Sequence, residues 1–278
     1  MLMRKLVVIL LFYSSSLAAM QLNSQNAIVV DDRNGKVLLE KNATTVVPIA
    51  SLTKLMTAMV VLDTKPNMDE KIDITADDVD QLKHSSSHVP VGSSISRRDA
   101  LQLALMSSDN RAAASLARTY PGGNNAFIVA VKSKLIALGM PNTVIKEATG
   151  LSPENTSTAA DLVKMAQAAA RYPEIADITT DSEDSISLKD GRTREFHNTN
   201  RLVGKKGWEV LLSKTGFTNE AGNCLIMRVK LAGKMATLVL LNARASSARL
   251  MDALKIGKLL GYKEEVKPRS SRHRRHRR

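Results

Sequence analysis

Ser51 and Lys54 stand three residues apart in Pro48-Ile49-Ala50-Ser51-Leu52-Thr53-Lys54, a spacing that puts a hydroxyl and an amine on one face of a first helical turn. A neutral lysine beside a serine can take the hydroxyl proton and leave an activated nucleophile. The positive end of the helix dipole is expected to push Lys54 toward that neutral form. Chance supplies about one Ser-x-x-Lys in a chain of this length, so an exposed turn with no role is the ordinary alternative. Two further groups change that balance. Ser108-Asp109-Asn110 offers another hydroxyl and an amide, and Lys214-Thr215-Gly216 another cation and hydroxyl. Chance gives a Lys-Thr-Gly in only about one chain in fifteen.

Ser-x-x-Lys, Ser-Asp-Asn and Lys-Thr-Gly, in that order, are the set carried by class A β-lactamases and penicillin-binding proteins. Acyl transfer needs a nucleophile, a base, a proton path to the leaving group and donors for the oxyanion. Ser51 suits the first role and Lys54 the second. Ser108 can relay a proton to a leaving amine, and Asn110 can hydrogen-bond a substrate amide. Lys214 and Thr215 can dock a substrate carboxylate, while Gly216 lets substrate backbone approach the strand. The backbone N–H groups of Ser51 and Phe217 would form the oxyanion hole.

The resemblance extends past the motifs. Residues 48–62, 105–117 and 213–224, together with Tyr120-Pro121-Gly122-Gly123 and Thr149-Gly150-Leu151-Ser152, resemble the low-molecular-mass D-alanyl-D-alanine peptidases, and the endopeptidase subgroup most. The similarity covers residues 27–260. It implies an α+β, β-lactamase/transpeptidase-like fold, cleavage of D-Ala–diaminopimelate cross-links in peptidoglycan, and covalent inhibition by β-lactam antibiotics. It also implies that hydrolysis reuses the lysine, with no dedicated deacylating carboxylate. Related carboxypeptidases carry a further β-rich domain and an anchor, and about sixty residues follow Lys-Thr-Gly here, which favours the endopeptidase subgroup. Glu154 in Ser152-Pro153-Glu154-Asn155 invites comparison with the β-lactamase carboxylate, against an exposed loop residue. Relatives offer an arginine to the substrate carboxylate near Arg249, against a surface arginine on the last helix. A D,D-carboxypeptidase and a non-catalytic wall-binding adaptor remain the alternatives in function.

The elements that must position these groups emerge from periodicity. Leu52, Leu55, Met56, Met59 and Val60 recur at helical spacing, predicting an amphipathic helix over 48–62. Residues 27–31 and 36–40 read as two strands around an Asn34-Gly35 turn. Residues 98–119 predict two helices interrupted at Ser107-Ser108-Asp109-Asn110. Helices are expected over 125–138 and 157–171, then a polar stretch over 179–200. Strands come next at 208–213, 224–231 and 235–242, then a helix over 246–260. Strands at both ends around a helical middle predict one antiparallel sheet shared by the two termini.

Composition sets the remaining bounds. Of the net charge of +13 over 278 residues, the segment from Lys263 onward contributes +6 and Arg4 with Lys5 another +2, so the body holds +5. Residues 1–19 read as a signal peptide: a charged start, a short apolar run over 6–12 and small residues up to Ala19. A cut after Ala18 or Ala19 would leave a catalytic domain over 22–262 in the periplasm. The basic segment 263–278 is expected to be solvated, with weak affinity for anionic surfaces rather than nucleic acid. Cys224 is the only cysteine and reads as a buried, inert thiol. No metal-ligand spacing and no cofactor signature is present.

Overall fold

The run Ala27-Ile28-Val29-Val30 is apolar at every position because its strand is covered on both faces. In a computed structural model, which describes residues 20–187 and 193–263, that strand is β1 (Asn26–Asp31), and β2 (Val37–Lys41) returns beside it. The short β3 (Val47–Pro48) and a 3₁₀ turn (Ala50–Leu52) lead into α1 (Thr53–Asp63). β4 (Lys71–Asp73) and β5 (Ser94–Ser96) pair around an irregular loop. α2 (Arg97–Leu105), α3 (Asn110–Arg118) and α4 (Gly123–Ala137) come next. β6 (Thr156–Ser157) pairs with β3, and α5 (Ala159–Ala169) and α6 (Pro173–Thr180) complete the helical part. A hairpin of β7 (Glu183–Ser187) and β8 (Thr193–His197) precedes three long strands, β9 (Glu209–Thr218), β10 (Gly222–Leu231) and β11 (Lys234–Ala243), and then α7 (Ser246–Leu260).

The main sheet has the order β2-β1-β11-β10-β9 and is antiparallel throughout, so the first hairpin pairs with the last strand as the sequence predicts. Alternation divides its side chains between two cores. Ala27, Val29, Leu238 and Leu240 face α7, while Ile28, Val30, Val239 and Leu241 face the helical layer. The layers run α7, sheet, helices, in that order.

Three predicted elements differ. α1 is buried along Thr53–Val61 on all sides, so it is a central helix and not an amphipathic one; apolar stripes alone cannot separate the two. α6 fills the gap after the helix predicted over 157–171, and the β7–β8 hairpin occupies part of the stretch that reads as merely polar. β9 runs five residues beyond Ser213, so Lys214-Thr215-Gly216 lies inside the strand. Residues 1–19 and 264–278, the expected signal peptide and nearly all of the basic tail, lie outside the described residues.

α7 is fastened to the start of β1 by one buried carboxylate. Asp252 accepts hydrogen bonds from Asn23 N (3.0 Å) and Nδ2 (2.9 Å), and from Ser24 N (2.7 Å) and Oγ (2.9 Å). Removing a buried acceptor strands its donors at about 1–3 kcal/mol, and each kcal/mol lowers Tm by roughly 2–4 °C in a domain of this size. Asp252→Ala is therefore expected to melt several degrees lower in a thermal scan, with the acylation rate of the folded protein unchanged.

Candidate active site

Two constraints place Ser51. Ala50, just before it, has a left-handed backbone (φ 48°), and Ser51 itself sits in the 3₁₀ turn. The turn is wedged between two glycines, Gly150 too close to bear a side chain and Gly216 with little room for one. A β-carbon on Gly216 would lie 3.0 Å from Ser51 N and 3.1 Å from Ile49 O, and one on Gly150 (φ +85°) only 2.0 Å from Ala50 O. Gly216 therefore borders the nucleophile's own turn.

Lys54, on the first turn of α1, is 1% exposed. Its Nζ donates to Ser51 Oγ (2.9 Å), Asn110 Oδ1 (2.7 Å) and the Thr149 carbonyl (2.8 Å). Three acceptors match the three protons of an ammonium. When the amine is neutral, two N–H groups can keep Asn110 and Thr149 while the lone pair accepts the Ser51 proton. Burial pushes the amine down to about 8, opposed by the negative charges of Glu147 and Asp109. Desolvation is the largest cause of that shift.

Lys214 is also 1% exposed and donates to Ser108 Oγ (2.9 Å) and the Thr215 carbonyl (2.9 Å). Burial lowers its pKa well below the usual lysine value, helped by repulsion from Lys54 and Arg249. Ser108 has a left-handed backbone (φ 64°) between α2 and α3, a strain of about 1–2 kcal/mol sustained by its neighbours. One of them, Asp109, caps α3 at Ala112 N (2.9 Å) and accepts from Ser87 Oγ (2.7 Å). Asn110, the first residue of α3, donates from Nδ2 to Ser85 Oγ (2.9 Å). The three motifs therefore meet through two lysine amines.

Thr215 donates to Thr199 Oγ1 at 2.6 Å, and exposed Phe217 lies two residues further along the same strand. Arg249 is buried, which excludes the surface reading. Its guanidinium donates to the Cys224 carbonyl (3.1 Å), burial lowers its pKa, and it lines a cavity of about 280 Å³ with Thr199, Arg201, Ser246 and Ser247. No carboxylate among the described residues forms an ion pair with it. Cys224 is buried as expected, its thiol pushed up to about 11 by desolvation.

Glu154 is exposed on its loop, as the ordinary reading has it. The carboxylates whose charge acts on the lysine are Glu147 and Asp109, and Glu147 carries no periodic or motif signal. Sequence spacing is equally silent on Glu183, Glu195 and His197, which the β7–β8 ladder gathers on an exposed face, with His197 at 3.6 and 3.2 Å from the two glutamates.

The model of a peptidase family, S11, described as D-alanyl-D-alanine carboxypeptidase, matches residues 14–245. The chain belongs to this family. As a member it is a serine-type D-Ala-D-Ala peptidase, a hydrolase. A D-alanyl-D-alanine endopeptidase of Pseudomonas aeruginosa is 48% identical over 241 residues, covering 86% of this chain and 78% of the relative. One from Escherichia coli is 45% identical over 237 residues, covering 85% and 76%. The crystal structure of the Streptomyces K15 DD-transpeptidase matches with a TM-score of 0.79 at 28% identity, over 86% of this chain and 98% of that one. Penicillin-binding protein D2 of Listeria monocytogenes, solved in its cefotaxime-bound form, gives 0.74 at 30% identity over 88% and 99%. The fold expected from the three motifs is the one found.

Two outcomes are expected of this D,D-peptidase site. The β-lactam acylation rate, followed against pH, rises as pH passes through about 8, where Lys54 loses its proton; interaction with Lys214 makes the observed limb a property of the pair. Gly150→Ala drives a β-carbon into the Ala50 carbonyl. Displacing the nucleophile's turn by about 1 Å is expected to slow acylation about 100-fold, read by stopped-flow labelling.

Proposed function

We propose that this peptidase hydrolyses D-Ala–diaminopimelate cross-links of peptidoglycan through an acyl-enzyme on Ser51. The observation that carries the catalytic part is the 2.9 Å contact between Ser51 Oγ and a buried Lys54 amine. The endopeptidase names of the relatives at 48% and 45% identity carry the substrate part.

In this scheme neutral Lys54 accepts the Ser51 proton as Oγ adds to the D-Ala carbonyl carbon. The oxyanion is held by the N–H groups of Ser51 and Phe217, the latter on a strand that forms the edge of its sheet. Ser108, bridged to Lys214, passes a proton to the leaving nitrogen as the C–N bond breaks, and the proton that Lys54 took from Ser51 restores Ser108, leaving Lys54 neutral again. A water then loses a proton to neutral Lys54 as its oxygen adds to the ester carbon, and Lys54 returns that proton to Ser51 Oγ as the ester C–O bond breaks, releasing the acid product. Asn110 holds the substrate amide, and Lys214, Thr215 and Arg249 receive its carboxylate. The buried Lys214 and Arg249 side chains suit a peptide rich in carboxylates. β-Lactams are expected to acylate the same serine.

The location belongs to the same proposal. Residues 1–19 act as an export signal and the mature domain works in the periplasm. The basic segment beyond Lys263 adds weak contact with anionic cell-wall surfaces; its charge alone argues for this.

Defined muropeptides test the substrate. Cross-linked dimers are expected to become monomers with wild type and to stay intact with Ser51→Ala. Loss of only the terminal D-Ala from monomeric pentapeptide would make the chain a carboxypeptidase instead. Binding without cleavage of either, unchanged in Ser51→Ala, would make it a wall-binding adaptor.

A further inference from the structure

Glu147 takes no part in the proton transfers of acylation, yet its carboxylate gathers the loop that carries one of the three acceptors of Lys54. It accepts from Thr149 N (2.6 Å), Thr149 Oγ1 (2.6 Å), Gly150 N (2.7 Å), Ser152 N (3.3 Å) and Asn155 Nδ2 (3.0 Å). These donors span residues 149–155, so one side chain closes the loop on itself.

We propose that Glu147 is a positioning residue for acylation: it fixes the 147–155 loop so that Thr149 and Gly150 seat the Lys54 amine and the Ser51 turn, and it sets a negative charge against that amine. The inference rests on the reading of Lys54 as the base. Three contacts transmit it. The Thr149 carbonyl accepts from Lys54 Nζ at 2.8 Å. Gly150 packs against the Ala50 carbonyl where no other residue fits. Asn155, held by Glu147, donates to Thr53 Oγ1 (3.1 Å) and accepts from Ile49 N at its carbonyl (3.0 Å), gripping the nucleophile's turn from both ends.

Charge supports the same assignment. Lys54 faces Lys214 across the site, so two buried cations repel, and Glu147 and Asp109 are the anions that act on the Lys54 amine. Asp109 is engaged as the cap of α3 and the anchor of Ser87. On the loop's other side a cavity of about 320 Å³ brings Asp77, Arg118 and Lys146 near Glu147. Arg118 is paired there with Asp78 at 2.8 Å, which leaves the Glu147 carboxylate to its loop donors. A carboxylate so placed favours the charged form of Lys54 and opposes burial, keeping the amine basic enough to receive the serine proton. Glu147 exchanges no proton in the step.

The test is the β-lactam acylation rate against pH for wild type, Glu147→Gln and Glu147→Asp, each with its Tm. Acylation of wild type with a limb near 8 tests the serine–lysine reading by itself. Given that, Glu147→Gln is expected to acylate about 10-fold or more slowly, with its limb moved to lower pH because the opposing charge is gone. A wild-type rate, or a lost rate with an unmoved limb, would overturn the proposal in favour of a merely structural loop. Should Glu147→Gln fail to fold, Glu147→Asp carries the test. It keeps the charge with a shorter reach and should hold the wild-type limb while losing rate; a wild-type rate there overturns the proposal equally.

Discussion

Burying the amine of Lys54 is the constraint on which the rest of this site depends. A lysine 1% exposed has no water to satisfy its donors, so each proton must meet a protein acceptor. The three acceptors come from the turn before α1, the first residue of α3 and the loop after α4. Those segments are remote in sequence and have to be brought to one point by the packing of α1 at the centre of the helical layer. A helix buried on all sides is therefore what makes a low-pKa lysine possible, and the same burial removes the bland alternative of an exposed first turn.

Close approach of backbone is the second requirement. Gly150 and Gly216 press on the Ser51 turn from two sides, one from a loop and one from the edge strand β9. Ala50 and Ser108, neither of them glycine, hold left-handed backbones beside the two hydroxyls of the site. Each is a local strain that persists only because its surroundings over-determine it. Ala50 is fixed by the glycine contacts, and Ser108 by the adjoining Asp109 cap and by the Lys214 amine. The site is rigid where the nucleophile and relay must be placed and exposed where Phe217 meets solvent.

Much of this is legible in the sequence, and the part that is not has a common cause. The motifs name the reacting groups because their chemistry depends on residue type and local spacing. The shared sheet can be read because alternation and the Asn34-Gly35 turn are local signals, and β11 closes on β1 as they imply. α1 reads as amphipathic because a stripe of Leu52, Leu55, Met56, Met59 and Val60 looks the same whether the opposite face meets solvent or protein. The end of β9 is hidden because Lys214 and Thr215 are polar yet buried, paired by tertiary neighbours that no window of sequence contains. Glu154 draws notice ahead of Glu147 for a related reason. The partners of Glu147 lie within eight residues, but only the folded loop shows that it, and not Glu154, turns inward. The gathering of Glu183, Glu195 and His197 likewise depends on strand register.

A serine nucleophile driven by a buried lysine is tested most simply by intact-mass analysis with peptide mapping after incubation with benzylpenicillin at a pH above 8. One covalent adduct is expected, on Ser51, formed quickly by wild type, absent from Ser51→Ala and greatly slowed in folded Lys54→Met. An unlabelled wild type that is demonstrably folded, an adduct on another residue, or a Lys54→Met that labels at the wild-type rate would contradict it.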